Sequence, residues 1–242
     1  MSDQDYYSNP AVSASLLKLV HQHGTLKAKA IRDADKDSKA LAFGRAYHML
    51  ILEEAKFDVN YFVMPKLDLR TKAGKAMKQE MVDSHPGMEA ITQDDYEILA
   101  GMKEAIMDNS LVRGLLRNIE VEEEYYYQIS GIDCKSKIDA MTVEHQILEL
   151  KTTRDIKHFP REFWKYSYHI QAAMYLHAAG VPVINFIAQD NAYPYEVRVF
   201  RPSEDVIDAG NKDMMQALIA WNIAERSGDF RHYPEEIEEL GL

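Results

Sequence analysis

Between Ile119 and Thr152 the chain alternates polar and apolar residues through three consecutive segments, Ile119 to Ile129, Ile132 to Met141 and Gln146 to Thr152. That period belongs to strands, and the Ser130-Gly131 turn and the loop Thr142 to Gln146 are short enough to make neighbouring segments antiparallel. A hairpin closed over Thr142 to Gln146 sets Asp139 opposite Glu149, and residues that face each other share a face of the sheet. Their Cβ atoms then lie about 4.5–5.5 Å apart. Lys151 follows on the same face roughly 6.6 Å further along by strand rise. The Ser130-Gly131 turn brings Glu122 and Glu124 across from Asp139 and Lys137. One pleated face is thus expected to carry Glu122, Glu124, Asp139, Glu149 and Lys151. Two carboxylates held this close destabilise a sheet unless one takes a proton or a cation sits between them.

The flanking chain reads as helices and further strands. Ser13 and Ser15 can cap an amphipathic stretch through about His23, and Ser38 to Leu52 predicts a second helix on which Leu41, Gly44, His48, Ile51 and Leu52 share the inward stripe. Helices are also predicted near Thr71 to Ser84 and Gln93 to Leu116. Pro160 to Ala179 has proline near its start and Gly180 just past its end, the usual asymmetry of a helix. Val183 to Gln189 and Tyr195 to Arg201 predict two strands, and Ser203 to Arg226 a last helix. With no repeat, linker or composition shift, the expectation is one domain over residues 1–242: a mainly helical part over 1–117, a sheet with its helix over 118–201, and a helix and tail over 202–242. The fold class is α/β, a central mixed sheet flanked by helices.

Composition limits the chemistry. The single cysteine, Cys134, supports neither an internal disulfide nor a thiolate metal cluster, so any metal must be held by oxygen and imidazole. No apolar run approaches the ~18 residues that span a bilayer, and the start MSDQDYYSNP is unlike a secretory leader; no membrane partner and a cytoplasmic location are expected. With 28 Lys and Arg against 39 Asp and Glu the formal net charge is −11, a field that repels polyanions as a whole. The distribution is uneven. Lys66, Arg70, Lys72, Lys75 and Lys78 gather around one acid, Asp68, whereas the tail Pro234 to Leu242 is acidic.

Hard divalent cations prefer carboxylate oxygens and keep several waters, which suits one or two carboxylates plus a phosphate oxygen of a substrate. Such a cation stabilises the charge that builds on phosphorus during hydrolysis, and Lys151 would position water and offset that charge. A solvated sheet face with Lys151 paired to Glu149 fits the same spacing. Arg70, Lys72, Lys75 and Lys78 fit phosphate contacts at a helix start, or equally a solvated helix face. Tyr125, Tyr126 and Tyr127 are assigned to strand packing, and His169 and His177 to structure.

These residues also carry a resemblance. Asp139 followed after an interval by Glu149-Leu150-Lys151 resembles the core of the PD-(D/E)xK nuclease superfamily, with its restriction-endonuclease-like fold. GRAYH (Gly44 to His48) resembles the helix histidine of the RecB-type branch, and QAAMY (Gln171 to Tyr175) its QxxxY motif on the helix after the strand. The surrounding YHIQAAMY and the upstream RTKAGK are most similar to the RecE-like, exonuclease VIII family of phage recombination. The match runs over roughly Ser13 to Arg201, and the iron–sulfur cysteines of some relatives are missing. The resemblance implies Mg²⁺, with Mn²⁺ as a substitute, held by Asp139, Glu149, the Leu150 carbonyl and His48, with Glu124 as a further ligand; between Glu124 and Glu122 the assignment stays open. It implies Asp139, Glu149, Lys151, Gln171 and Tyr175 as the catalytic set, with Tyr168 one turn earlier touching DNA beside Arg70, Lys72, Lys75 and Lys78. It implies a 5′-to-3′ exodeoxyribonuclease on linear double-stranded DNA with free ends, leaving 3′ overhangs for a RecT-like single-strand annealing partner. A ring-shaped homo-oligomer, tetramer or trimer, and a phage or prophage origin in a bacterial cytoplasm go with it. A DNA endonuclease, or a non-catalytic DNA-binding or assembly protein on the same fold, are the alternatives.

Overall fold

The computed structural model describes residues 3–34 and 38–230; the acidic tail Pro234 to Leu242 lies outside them. In chain order the elements are α1 (Asp3–Ser8), β1 (Val12–Ser13), α2 (Ala14–Ala34), α3 (Lys39–Leu52), α4 (Glu54–Asn60), β2 (Tyr61–Met64), α5 (Lys72–Ser84), β3 (Glu89–Thr92), α6 (Gln93–Asp108), α7 (Ser110–Leu115), β4 (Glu120–Ile129), β5 (Ile132–Met141), β6 (Gln146–Thr153), α8 (Phe159–Lys165), α9 (Tyr168–Ala179), β7 (Val183–Asp190), β8 (Val197–Phe200) and α10 (Glu204–Ser227). The helix starts follow their capping side chains. Ser38, Thr71, Thr92 and Asn109 each accept a hydrogen bond from a backbone N–H three residues on.

The main sheet runs β1-β5-β6-β7-β8, with β4 also paired to β5. β4, β5 and β6 form the expected antiparallel meander, β6 and β7 are parallel across the α8–α9 crossover, and β8 returns antiparallel. A mixed sheet flanked by helices is thus the observed fold. Its two faces bury separate apolar layers. Leu17 of α2, Ile170 of α9 and Trp221 of α10 pack with Ile138 and Phe186 on one side. Tyr47 of α3 and Leu99, Met102 and Ile106 of α6 pack with Leu148, Leu150 and Ile187 on the other.

Some expectations need correction. The stretch 160–179 is two helices, because Ser167 takes a left-handed backbone (φ 53°) between α8 and α9. The stretch 93–116 is likewise divided at Asn109, whose side chain starts α7. On α3, Leu41 is exposed and the buried residues are Ala46, Tyr47, Leu50 and Ile51. α1, α4 and the small parallel pair β2–β3 carry no periodic signal long enough to be read from the sequence.

Candidate active site

β5 pairs with β6 only through Ala140↔Leu148 and Met141↔Ile147. Continuing that register would set Asp139 against Glu149, the facing pair expected from the hairpin. The ladder stops there. Further back, β1 takes the place beside β5 that β6 has left, at Cys134 and Lys135. The alternation also breaks at this point: Ile138 packs into one apolar layer and Ala140, two residues on, into the other. On β4, Tyr125 and Tyr127 pack against the first layer and Val121 against the second, with Glu122 between them at φ 56°. A side chain with Cβ rarely adopts that backbone, which costs of order 1 kcal/mol or more, and such strain concentrates at functional sites.

The parted strands leave backbone groups that side chains satisfy. Asp139 Oδ2 accepts from the Leu150 N–H at 2.8 Å. His48, carried by α3, sets Nε2 3.0 Å from the Leu150 carbonyl oxygen and Nδ1 3.3 Å from Asp139 Oδ1. Glu149 is 2% exposed. Its Oε1 accepts from Gln171 Nε2 at 2.6 Å and from the Lys151 ammonium. Its Oε2 is buried with no hydrogen-bond partner. The i to i+4 spacing on α9 puts Tyr175 on the face of Gln171, buried at 8% exposure and within the field of Glu149 and Asp139.

Lys18 belongs to this site and gave no motif by which to be found. It comes from α2, donates to Gln171 Oε1 at 3.2 Å, and lies 5.1 Å from the centre of the Tyr168 ring. Lys151 lies 5.0 Å from the same ring centre. Two lysine heads therefore share one aromatic platform, which attracts each in its charged form by its quadrupole. The signal that could have located Lys18 is its polar head on the otherwise apolar stripe Leu16, Leu17, Val20.

Electrostatics divide the roles. Burial alone would raise the Asp139 pKa, but His48, Lys151 and the Leu150 N–H outweigh it and hold the carboxyl below its ordinary value. Burial and the charge of Asp139 together push Glu149 up, against the pull of Lys151. Burial works to lower His48, and the charge and hydrogen bond of Asp139 overcome it and hold the imidazole above its ordinary value. Burial also opposes the Lys151 charge, but Glu149, Tyr168 and Asp139 push its pKa up, so it stays an ammonium. Lys18 goes the other way: burial and the nearby Lys151 bring it down to about 7 in spite of Glu149 and Asp139.

The structure brings together His48, Asp139, Glu149, Leu150, Lys151, Gln171, Tyr175 and Tyr168, and leaves other candidates apart. Glu124 accepts from the Tyr126 hydroxyl at 3.1 Å and its field acts on Lys135 and Tyr6. The broken alternation at Glu122 separates the two glutamates that parity alone had put on one face. Glu122 pairs with Lys137 at 2.8 Å and feels Asp139 and His48. Tyr168, half-buried, packs its ring against Phe186, Phe159 and Phe163 as well as the two lysines and so floors the site. Arg70 is paired with Asp68 at 2.9 Å. Lys72, Lys75 and Lys78 are exposed on α5, a helix with no buried residue.

The donor set suits a hard divalent cation. Asp139 supplies a carboxylate held ionised, Glu149 a carboxylate oxygen with no other partner, Leu150 a backbone carbonyl and His48 an imidazole, which is a ligand once it loses its proton. A buried pair of carboxylates with one orphaned oxygen is the arrangement such an ion relieves.

A family model described as a PDDEXK-like domain of unknown function (DUF3799) matches residues 13–220. Among solved structures, one from Eubacterium rectale called "Putative exonuclease" superposes with a TM-score of 0.66 at 13% identity, covering 98% of this chain and 96% of that one. A phage related exonuclease from Haemophilus somnus 129PT gives a TM-score of 0.41 at 14% identity, covering 93% of this chain and 99% of that one. No curated protein matches the chain. The likeness to the first structure is one of fold, and the matched 13–220 span holds every side chain of the site just described.

Proposed function

The chain belongs to the PDDEXK-like family DUF3799, and from that premise we propose that it is a divalent-metal-dependent deoxyribonuclease working as one nuclease domain. Mg²⁺ is its ordinary metal and Mn²⁺ a substitute. It removes nucleotides from the 5′-ended strand of linear double-stranded DNA and leaves a 3′ overhang for a strand-annealing partner of RecT type. A closed ring of three or four copies would present the basic residues to the duplex. What carries the reading is the parted β5–β6 ladder, where Asp139 and the partly orphaned Glu149 meet beside Lys151. Direction, overhang, ring and partner rest on the resemblance to RecE-like exonucleases, as does the phage setting.

When bound, the cation would be held by Asp139, Glu149, the Leu150 carbonyl and His48, and supplies Lewis acidity toward water and the phosphoryl oxygens. Lys151, kept charged by Glu149 and Asp139, offsets the charge that develops on phosphorus rather than acting as a base. Gln171 donates to Glu149 and accepts from Lys18, so it fixes one carboxylate and one lysine amine together. The centre of the Tyr168 ring lies 5.1 Å from Lys18 Nζ and 5.0 Å from Lys151 Nζ.

The test is linear duplex labelled at either the 5′ or the 3′ end, beside a closed circle, with Mg²⁺ or chelator, and with Lys151→Ala as control. Nucleotide release from the 5′ label, dependent on Mg²⁺ and Lys151 and absent on the circle, is expected. Nicking of the circle would replace the exonuclease with an endonuclease. No cleavage of any substrate would leave a non-catalytic DNA-binding protein.

A further inference from the structure

Behind the candidate nuclease centre, α2, α9 and α10 bring His21, His169 and Asp213 to one point, with a ligand atom from each lying within 4.8 Å of the others. His169 Nε2 is 3.1 Å and His21 Nε2 is 3.9 Å from Asp213 Oδ2. Ligands about 2.0–2.1 Å from a tetrahedral ion stand about 3.3 Å apart, so the two measured separations bracket that spacing and only side-chain adjustment is needed. The placement has a backbone cause. At Gly210 of α10 an added Cβ would come within 2.3 Å of the His169 carbonyl oxygen, so the helices touch there and Asp213, one turn on, reaches the His169 ring. His169 is buried, its Nδ1 has no hydrogen-bond partner, and Asp213 is the polar contact that orients its ring.

We propose that His21, His169 and Asp213 form a second metal site, for a borderline transition-metal dication such as Zn²⁺, separate from the Mg²⁺ centre. Two imidazoles and one carboxylate favour that class of ion over Mg²⁺, which prefers oxygen. With side-chain exposures of 35% for His21 and 26% for Asp213, the fourth position opens to water. The ion ties α2 to α9 and α10. Lys18 lies three residues before His21 and Gln171 two after His169, so the tie holds in register the two helices whose side chains meet at the nuclease centre.

The test uses chelator-treated protein carrying Asp139→Asn and Glu149→Gln, so that the nuclease centre lacks its carboxylates, and in parallel wild-type protein in excess Mg²⁺. Each is dialysed against Zn²⁺ or Co²⁺ and assayed for bound metal, for the visible bands of four-coordinate Co²⁺ and for thermal midpoint. One ion per chain, with the bands and a raised midpoint, is expected in both. Adding His21→Ala, at a partly exposed position, is expected to weaken binding at least tenfold and remove the bands. No retained metal, or equal retention with His21→Ala, would overturn the site and leave His169 and Asp213 as a plain hydrogen-bonded pair.

Discussion

Lys18 shows how a buried charge is set by its neighbours. Brought down to about 7 from 10.5 by burial and by Lys151, it binds a proton in the unfolded chain but not in the folded one across the window between those values. Stability therefore rises with pH there, by at most about 1.4 kcal/mol per pH unit for one group. His48, held above 6.5, contributes stability that is lost as pH rises through its folded value, so the two oppose each other and only a comparison separates them. In metal-free protein, Lys18→Met is expected to be more stable than wild type at pH 7, with the gap narrowing toward pH 9 in urea titrations. Parallel pH profiles would refute this account of Lys18. Asp139→Asn keeps an acceptor for the Leu150 N–H but loses the charge. Mg²⁺ at a hundredfold its dissociation constant should stabilise wild type by about 2.7 kcal/mol and the variant by nearly nothing, read as thermal midpoints with and without chelator. Asp139, Glu149 and Lys151 were legible as neighbours because the hairpin between β5 and β6 brings them close; that the ladder ends before them, with Asp139 bonding the Leu150 N–H instead, was not. Glu122 and Glu124 were not separable, because a left-handed residue inside a strand leaves no mark on the apolar pattern.

At the scale of elements, the close approach of α9 and α10 at Gly210 can be tested against helix propensity. In an ordinary helix Gly→Ala stabilises by roughly 0.5–1 kcal/mol. Here the new Cβ would meet the His169 carbonyl at 2.3 Å and Ala173 Cβ at 3.2 Å, and forced overpacking costs about 1–3 kcal/mol. Gly210→Ala is therefore expected to lower stability by about 1–2 kcal/mol in urea unfolding, and a neutral or stabilised variant would show that the helices can part freely. The sequence foretold α10 and its start at Ser203, which takes the N-cap position with an extended backbone and no side-chain capping bond. It could not foretell the break at Ser167, because Pro160 to Ala179 keeps its apolar content across the junction and no glycine or proline marks it. The two-residue β1 was equally hidden; its strand character comes from the place on β5 that β6 vacates, a tertiary cause with no local signature.

For the whole molecule the question is how a chain of net charge −11 would hold the DNA duplex proposed as its substrate. Within a Debye length of about 10 Å at 0.1 M salt the local pattern outweighs the total. Around α5 that pattern is basic: Arg70 is neutralised by Asp68 and Lys66 by Asp94, while Lys72, Lys75 and Lys78 form no ion pair with the described residues. Because α5 has no buried residue, replacing these three lysines leaves both apolar layers untouched, and any change in binding is electrostatic. Each phosphate contact contributes about 0.9 to the slope of log affinity against log salt for duplex DNA. In a Lys151→Ala background, so that the duplex stays intact, the triple change Lys72→Ala, Lys75→Ala, Lys78→Ala should reduce that slope by about 2.7 if all three contact phosphate. Fluorescence anisotropy of a labelled duplex over 50–250 mM salt, with Mg²⁺ fixed, measures it. An unchanged slope would make α5 a solvated helix, and the proposed duplex would then have to be held at the nuclease centre, by the Lys151 ammonium and by a cation between the carboxylates.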